Sequence, residues 1–236
     1  MKINVITCAD HVSPESVKGN TAVVVDTLRA TSVIITAISH GAKSVVPMTS
    51  VEEALETKKK LENVVLGGER KARLIDGFDL SNSPKEYTAS AVAEKNVVLT
   101  TTNGTKAIAR SSSAARIFIG ALRNARAVAE AAVAEERDAV IVNAGTGGEF
   151  SMDDFITAGA IIAHMLELKP AELTDVAKTA LIIYETHRDL RSYIQEAHHY
   201  GVLEELGLSE DLDFCLQESV EDIVPEYKNG IIKQHF

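Results

Sequence analysis

The chain has 236 residues, 45% of them hydrophobic and 25% charged, with a formal net charge of -10. That length and composition suit one large α/β domain whose core needs neither disulfide nor structural metal. The acidic balance argues against a general nucleic-acid binder, which needs a basic face to displace counterions, and no apolar run approaches the ~20 residues that span a membrane.

Met1 to Cys8 is a short strand-like run that meets charge at Asp10, too short for the apolar core of a signal peptide. Ile3 to Thr7, Ala22 to Val25, Ser44 to Val46, Val64 to Leu66, Val97 to Thr100, Ile117 to Ile119 and Ala139 to Val142 read as buried strands. Helical patterns lie between them, at Thr31 to His40, Val51 to Leu61, Lys85 to Glu94, Thr105 to Ser112 and Arg123 to Glu136. Continuous apolar strands that alternate with helices imply a mostly parallel sheet with helices on both faces. After Asn143 the pattern becomes helix upon helix, at Met152 to Leu168, Ala171 to His187 and Asp189 to Leu206. A final hairpin is expected between Val220 and Ile232, turning at Asn229-Gly230. The expectation is therefore an α/β fold over residues 1–236 with a helical C-terminal third, of which 151–210 forms a helical cap or a dimer surface. The two cysteines, Cys8 and Cys215, form no CxxC and fit a reduced, cytoplasmic setting.

Three strands run into polar turns that open helices. They are Val23-Val24-Val25 before Asp26-Thr27-Leu28-Arg29-Ala30-Thr31, Val97-Val98-Leu99 before Thr100 to Lys106, and Val140-Ile141-Val142 before Asn143 to Glu149. In a parallel sheet such turns share the carboxyl edge, where ligands bind. Helix N-termini offer unpaired N–H groups to an anion there. Asp, Thr, Ser and Asn are also ordinary helix caps, so one such turn would carry little weight; three on one edge carry more. Asn103-Gly104-Thr105-Lys106 lacks the earlier glycine of a P-loop, and Gly145-Thr146-Gly147-Gly148 lacks dinucleotide spacing. The histidines form no HExxH or triad-like pattern, and His198-His199 reads as surface.

A fourth segment, Gly67-Gly68-Glu69-Arg70 followed by Asp76 to Pro84, places Glu69 at a strand exit. It crowds Asp79, Asn82 and Ser83 in front of a helix. Capping accounts for Asn82 or Ser83 but not for Glu69 or Asp79. With Asp26, Glu149, Asp153 and Asp154 these acids could supply a hard cation, since Mg²⁺ takes one or two carboxylates plus waters and phosphate oxygens. Asp153-Asp154 also suits the first turn of a helix, where the dipole favours acids. Arg29 offers a planar fork to a phosphate, carboxylate or sulfonate. The same turns without clustered acids would suit a non-catalytic small-anion sensor, the alternative class.

Taken in order, Asp26 to Thr31, Gly67 to Arg70, Gly77 to Pro84, Thr101 to Thr105, and Asn143-Ala144-Gly145 through Phe150-Ser151-Met152-Asp153-Asp154 resemble the 2-phosphosulfolactate phosphatase family. Ser81 stands where many relatives are expected to carry Gly, and Met152-Asp153 where Leu-Glu is common. The resemblance implies an Mg²⁺-dependent phosphatase converting (2R)-2-phospho-3-sulfolactate to (2R)-3-sulfolactate and phosphate, a step of coenzyme M biosynthesis. It also implies an α/β homo-oligomer. On this reading Asp26, Arg29 and Glu69 are catalytic. Thr31, Asn82, Ser83, Asn103, Gly104 and Thr105 bind substrate, and Asp26, Glu69, Asp79 and Asp154 are the metal candidates.

Overall fold

The computed structural model describes residues 1–187 and 189–235. Its strands, in chain order, are β1 (Lys2–Ile6), β2 (Thr21–Val25), β3 (Ser44–Met48), β4 (Val64–Arg70), β5 (Arg73–Leu74), β6 (Asn96–Thr100), β7 (Arg116–Gly120), β8 (Ala139–Asn143), β9 (Glu172–Leu173), β10 (Pro225–Lys228) and β11 (Ile231–Gln234). All seven apolar runs form strands, and β2 is buried along its whole length because it is covered on both faces.

The sheet is mostly parallel and mixed, in the order β5-β4-β6-β3-β11-β10-β7-β2-β8-β1-β9. It holds two parallel blocks, β4-β6-β3 and β7-β2-β8-β1. The expected C-terminal hairpin wedges between them, pairing antiparallel with β3 on one side and β7 on the other. Its turn residues Asn229 and Gly230 both have positive φ (53° and 84°), as a tight turn with the twist of its strands requires. Three successive antiparallel pairings separate the blocks, so along the ladder they run in opposite directions.

The helices are α1 (Pro14–Val17), α2 (Ala30–Ser39), α3 (Val51–Lys58), α4 (Ala89–Val92), α5 (Gly104–Arg110), α6 (Ala125–Ala134), α7 (Met152–Leu168), α8 (Asp175–Thr186), α9 (Leu190–Ile194), α10 (His198–Glu205) and α11 (Ser209–Cys215). α2 and α5 lie between the two blocks, α2 touching β3, β7 and β10, and α5 touching β2 and β3. Their apolar residues share one core with Ala22 and Val24 of β2 and with Val97 and Leu99 of β6. The alternate β2 residues Val23 and Val25 face a second core under α6, α7 and α8. Val98 of β6 faces a third, with Ala54 of α3. The sheet is therefore folded over α2 and α5. Helices cover both faces as expected, but the middle layer serves both blocks at once, and this brings their carboxyl ends together.

Three helices differ from the sequence reading. Lys85 to Glu94 is a 3-10 turn (Pro84–Glu86) followed by α4; Tyr87, fully buried, interrupts it and donates its hydroxyl to the Ser81 carbonyl at 2.8 Å. Ala171 to His187 begins as an edge strand, because Glu172 and Leu173 pair with β1 and only then does Thr174 cap α8 through Ala177 N–H. Asp189 to Leu206 splits at an extended Ala197 into α9 and α10, with Ile194 and Ala197 both buried. Both cysteines are free and buried.

Candidate active site

β2 ends at Val25, and Asp26 follows inside the turn that opens α2. Thr31 returns along α2 to close that turn. Its hydroxyl accepts the Asp26 N–H at 3.0 Å and its own N–H donates to the Asp26 carbonyl at 2.9 Å. The carboxylate of Asp26 accepts from Ala30 N–H at 3.2 Å and from Gly104 N–H at the start of α5. A side chain at Gly104 would place its Cβ 2.6 Å from Ala30 Cβ and 2.7 Å from Asp26 Oδ2, so only glycine lets this N-terminus approach the acid. The Leu28–Arg29 peptide in the same turn is cis.

Glu69 arrives from the other block. Gly68, at φ +141°, passes so close to β6 that an added Cβ would lie 1.9 Å from the Thr100 carbonyl oxygen. The chain can thus turn Glu69 towards the β6 exit. There its Oε1 accepts from Thr102 N–H and Oγ1, both at 2.8 Å, and its Oε2 accepts from Ala72 N–H at 2.8 Å. Thr105 braces the adjacent turn, its N–H donating to Thr101 Oγ1 and its hydroxyl to the Thr101 carbonyl.

These ends border one cavity of about 260 Å³, a size for a small molecule. Its lining includes Asp26, Glu69, Thr101, Thr102 and Asn103, together with Arg29, Lys71 and Ala72. Asn82, Thr146 and Gly147 also line it, as do His198, His199 and Val202 of α10. Arg29 is buried, its Nη1 2.5 Å from Asp211 Oδ2 and its Nη2 donating to the Ala72 carbonyl at 3.2 Å. The amide oxygen of Asn82 is buried with no hydrogen-bond partner among the described residues.

Electrostatics single out Asp26. Burial pushes its carboxyl up to about 7, with Asp153 and Glu69 adding like charge, against the pull of the Ala30 and Gly104 N–H groups. Asp154, beneath it, is raised well above the usual carboxylate range by burial and then by Asp153 and Asp26. Asp154 is a strut: Oδ1 accepts from Thr27 N–H at 3.0 Å and Oδ2 from Gly145 N–H at 2.9 Å, tying the β2 turn to the β8 turn. Asp153 accepts the Ser151 hydroxyl.

Of the residues singled out in the sequence, Asp26, Arg29, Glu69, Asn82 and Asn103 line the cavity. Thr31, Gly104 and Thr105 support those that do. Ser83 lies behind Arg29, donating to Asp211 at 2.6 Å. Asp154 is not among the lining residues; it binds Thr27 and Gly145, next in sequence to the liners Asp26 and Thr146. Asp79 is not brought to it: its Oδ2 accepts from Leu66 N–H at 2.8 Å and faces Lys58 at 3.8 Å, which closes the loop onto β4 instead. Asp26 and Glu69 converge although their strands are not neighbours. Between β4 and β2 stand five other strands, and folding of the sheet over α2 and α5 closes the gap. The sequence does not point to Asp211 or Lys71; His198 is exposed and His199 half-buried, as a surface reading expects, and both also border the cavity.

A sequence profile described as 2-phosphosulpholactate phosphatase matches residues 6–230 of this chain. The chain belongs to the 2-phosphosulfolactate phosphatase family. Among its relatives, the probable 2-phosphosulfolactate phosphatase of Clostridium beijerinckii is 52% identical over 235 residues, covering 98% of this chain and 99% of the relative. The Clostridium perfringens protein of that name is 51% identical over 237 residues, covering 99% and 96%. That of Clostridium tetani is 49% identical over 234 residues, covering 99% and 100%. These family members favour an enzyme over the anion-sensor alternative. No helix among the described residues is long and apolar enough to cross a membrane.

Proposed function

We propose that the protein is a phosphoric monoester hydrolase that cleaves the phosphate ester of a small 2-hydroxy acid, with (2R)-2-phospho-3-sulfolactate as substrate. The observation that carries this reading, beside family membership, is a cavity lined by both buried acids and a buried cation. Two buried carboxylates, Asp26 and Glu69, and the buried guanidinium of Arg29 line it together, with Ala72 bonded to both Arg29 and Glu69. A phosphate ester that carries further anionic groups needs both a cationic fork for its anions and a place where acids hold a cation against its phosphate.

The donor set fits a divalent cation that is completed by substrate and water. Asp26 and Glu69 supply two carboxylates at one cavity, and Asn82 adds a buried amide oxygen that lacks a partner. Among the described residues no group of three or more His, Cys, Asp or Glu is placed to hold a metal ion, so an ion at Asp26 and Glu69 would need water and substrate oxygens to complete its shell. Mg²⁺ is the ion we propose; bound there, it would polarise the phosphoryl group and ease deprotonation of water. The chain's own residues do the rest. Gly104 N–H and Ala30 N–H orient Asp26; Thr102 and Ala72 N–H orient Glu69; and Arg29 receives anionic oxygens. A cytoplasmic homo-oligomer serving coenzyme M biosynthesis completes the reading.

The test is phosphate release from a panel of phosphorylated 2-hydroxy acids and simple phosphate esters, with Mg²⁺ and with a chelator. The expected result is turnover that prefers the sulfonated substrate and disappears on chelation. No turnover on any member would sink the proposal.

A further inference from the structure

Arg29 is not a free anion receptor. Its Nη1 lies 2.5 Å from Asp211 Oδ2, and the two side chains are only 2% and 4% exposed. The other carboxylate oxygen of Asp211 accepts the Ser83 hydroxyl at 2.6 Å. A third hold comes from the Ala72 carbonyl, which accepts Arg29 Nη2–H at 3.2 Å. Asp211 belongs to α11, far along the chain in the C-terminal helical segment, and α11 packs on the 3-10 turn that follows Ser83. On the surface beside it, Lys85 of that turn pairs with Glu210.

We infer that Asp211 is a positioning residue for the active site: its buried carboxylate, shared between Arg29 and Ser83, holds the guanidinium in one orientation against the cavity so that a substrate anion meets a preformed fork. The inference rests on the phosphatase reading for the identity of that anion. A guanidinium carries five N–H donors in a rigid plane. Asp211 and Ala72 engage one donor on each of its two terminal nitrogens, and Arg29 is among the residues that line the cavity. A buried charge is tolerated only when paired and hydrogen-bonded. Asp211 therefore makes it possible to keep Arg29 charged and desolvated beside a substrate site. Preorganisation of this kind avoids reordering a long side chain when the ligand arrives. It also gives α11 a task in the reaction without contact between α11 and the reacting atoms.

A double-mutant cycle on kcat/KM with Arg29→Lys, Asp211→Asn and the pair tests this, using Mg²⁺-loaded protein and two substrates. One is 2-phosphosulfolactate; the other is p-nitrophenyl phosphate, which has no second anionic group. The expected result is at least a tenfold loss on the first substrate for each single variant, expressed mainly in KM. The double variant should be little worse than either single one, and the losses on the second substrate should be much smaller. Asp211→Glu should recover part of the loss. Strictly additive losses, or equal losses on both substrates, would overturn the inference, because a merely structural role lowers all activities alike. If Asp211→Asn does not fold, Ser83→Ala carries the test: it loosens the carboxylate without uncovering the Arg29 charge, and unchanged KM in that variant overturns the inference. Absence of turnover by the unmodified protein would instead strike the phosphatase reading. In that case calorimetric binding of sulfolactate to the unmodified and Ser83→Ala proteins still decides the role of Asp211, with equal affinities counting against it.

Discussion

Asp26 provides the sharpest physical prediction, because the fold holds its charge at a cost. In the metal-free protein its carboxyl rises from 3.8 to about 7, through burial first and the neighbouring carboxylates after. The unfolded chain therefore releases this proton near pH 4, while the folded chain keeps it until near pH 7. Folding stability is unaffected below both values, falls as pH rises between them, and levels off above about 7. At about 1.36 kcal/mol for each pH unit, ionised Asp26 costs the folded state on the order of 4 kcal/mol at pH 8. Asp26→Asn removes that charge with a near-isosteric amide. Part of the gain is returned, since Ala30 and Gly104 N–H lose a charged acceptor. The pH dependence is cleaner than the absolute value. Between pH 5.5 and 7 the advantage of the variant should grow by about 2 kcal/mol, which is ~4–8 °C in Tm for a domain this size. Thermal melts of both proteins in chelator at pH 5.5, 7 and 8.5 measure it. A Tm difference that does not change with pH, or that shrinks as pH rises, would refute the argument that Asp26 is buried beside other acids.

Mg²⁺ should raise the Tm of the unmodified protein by mass action, because the unfolded chain has no assembled site; the rise should vanish in Asp26→Asn and be smaller in Glu69→Gln, as a Mg²⁺ titration of each melting curve reports. Gly104→Ala should lose at least tenfold in kcat/KM and about 1–3 kcal/mol of stability by denaturant titration, since its Cβ collides with Ala30 and with the Asp26 carboxylate. Asp79→Asn should leave kcat/KM within about twofold of the unmodified protein, because that residue closes the loop onto β4 and lies outside the cavity. A tenfold loss with the Tm unchanged would reinstate Asp79 as a site residue.

The strands were legible because they are covered on both faces. Val23 to Val25 and Val97 to Leu99 read as continuous apolar runs, and alternate residues in each serve different cores. The polar groups near the ends of β2, β4 and β6 are legible for a related reason: a buried apolar run that gives way to Asp26, Glu69 or Thr101 must place those groups at an edge. The way the two edges meet was not legible. It depends on a hairpin at the far end of the chain entering the middle of the sheet, and no local pattern in Val220 to Ile232 specifies where that hairpin pairs. Asp211 is not legible because an amphipathic helix announces which face is apolar, not which polar residue meets a partner 182 positions away. Asp79 misled because a carboxylate that accepts a backbone N–H within its own loop has the same local sequence as one aimed at a ligand.

The central claim is that Asp26 and Glu69, carried by opposite blocks of the sheet, act on one phosphate ester. Phosphate release from (2R)-2-phospho-3-sulfolactate in Mg²⁺ by the unmodified protein and by folded Asp26→Asn tests it most directly. The account predicts one phosphate and one sulfolactate per substrate from the unmodified protein, and a loss of at least a hundredfold in kcat for Asp26→Asn at unchanged fold. Turnover by Asp26→Asn equal to that of the unmodified protein would contradict it.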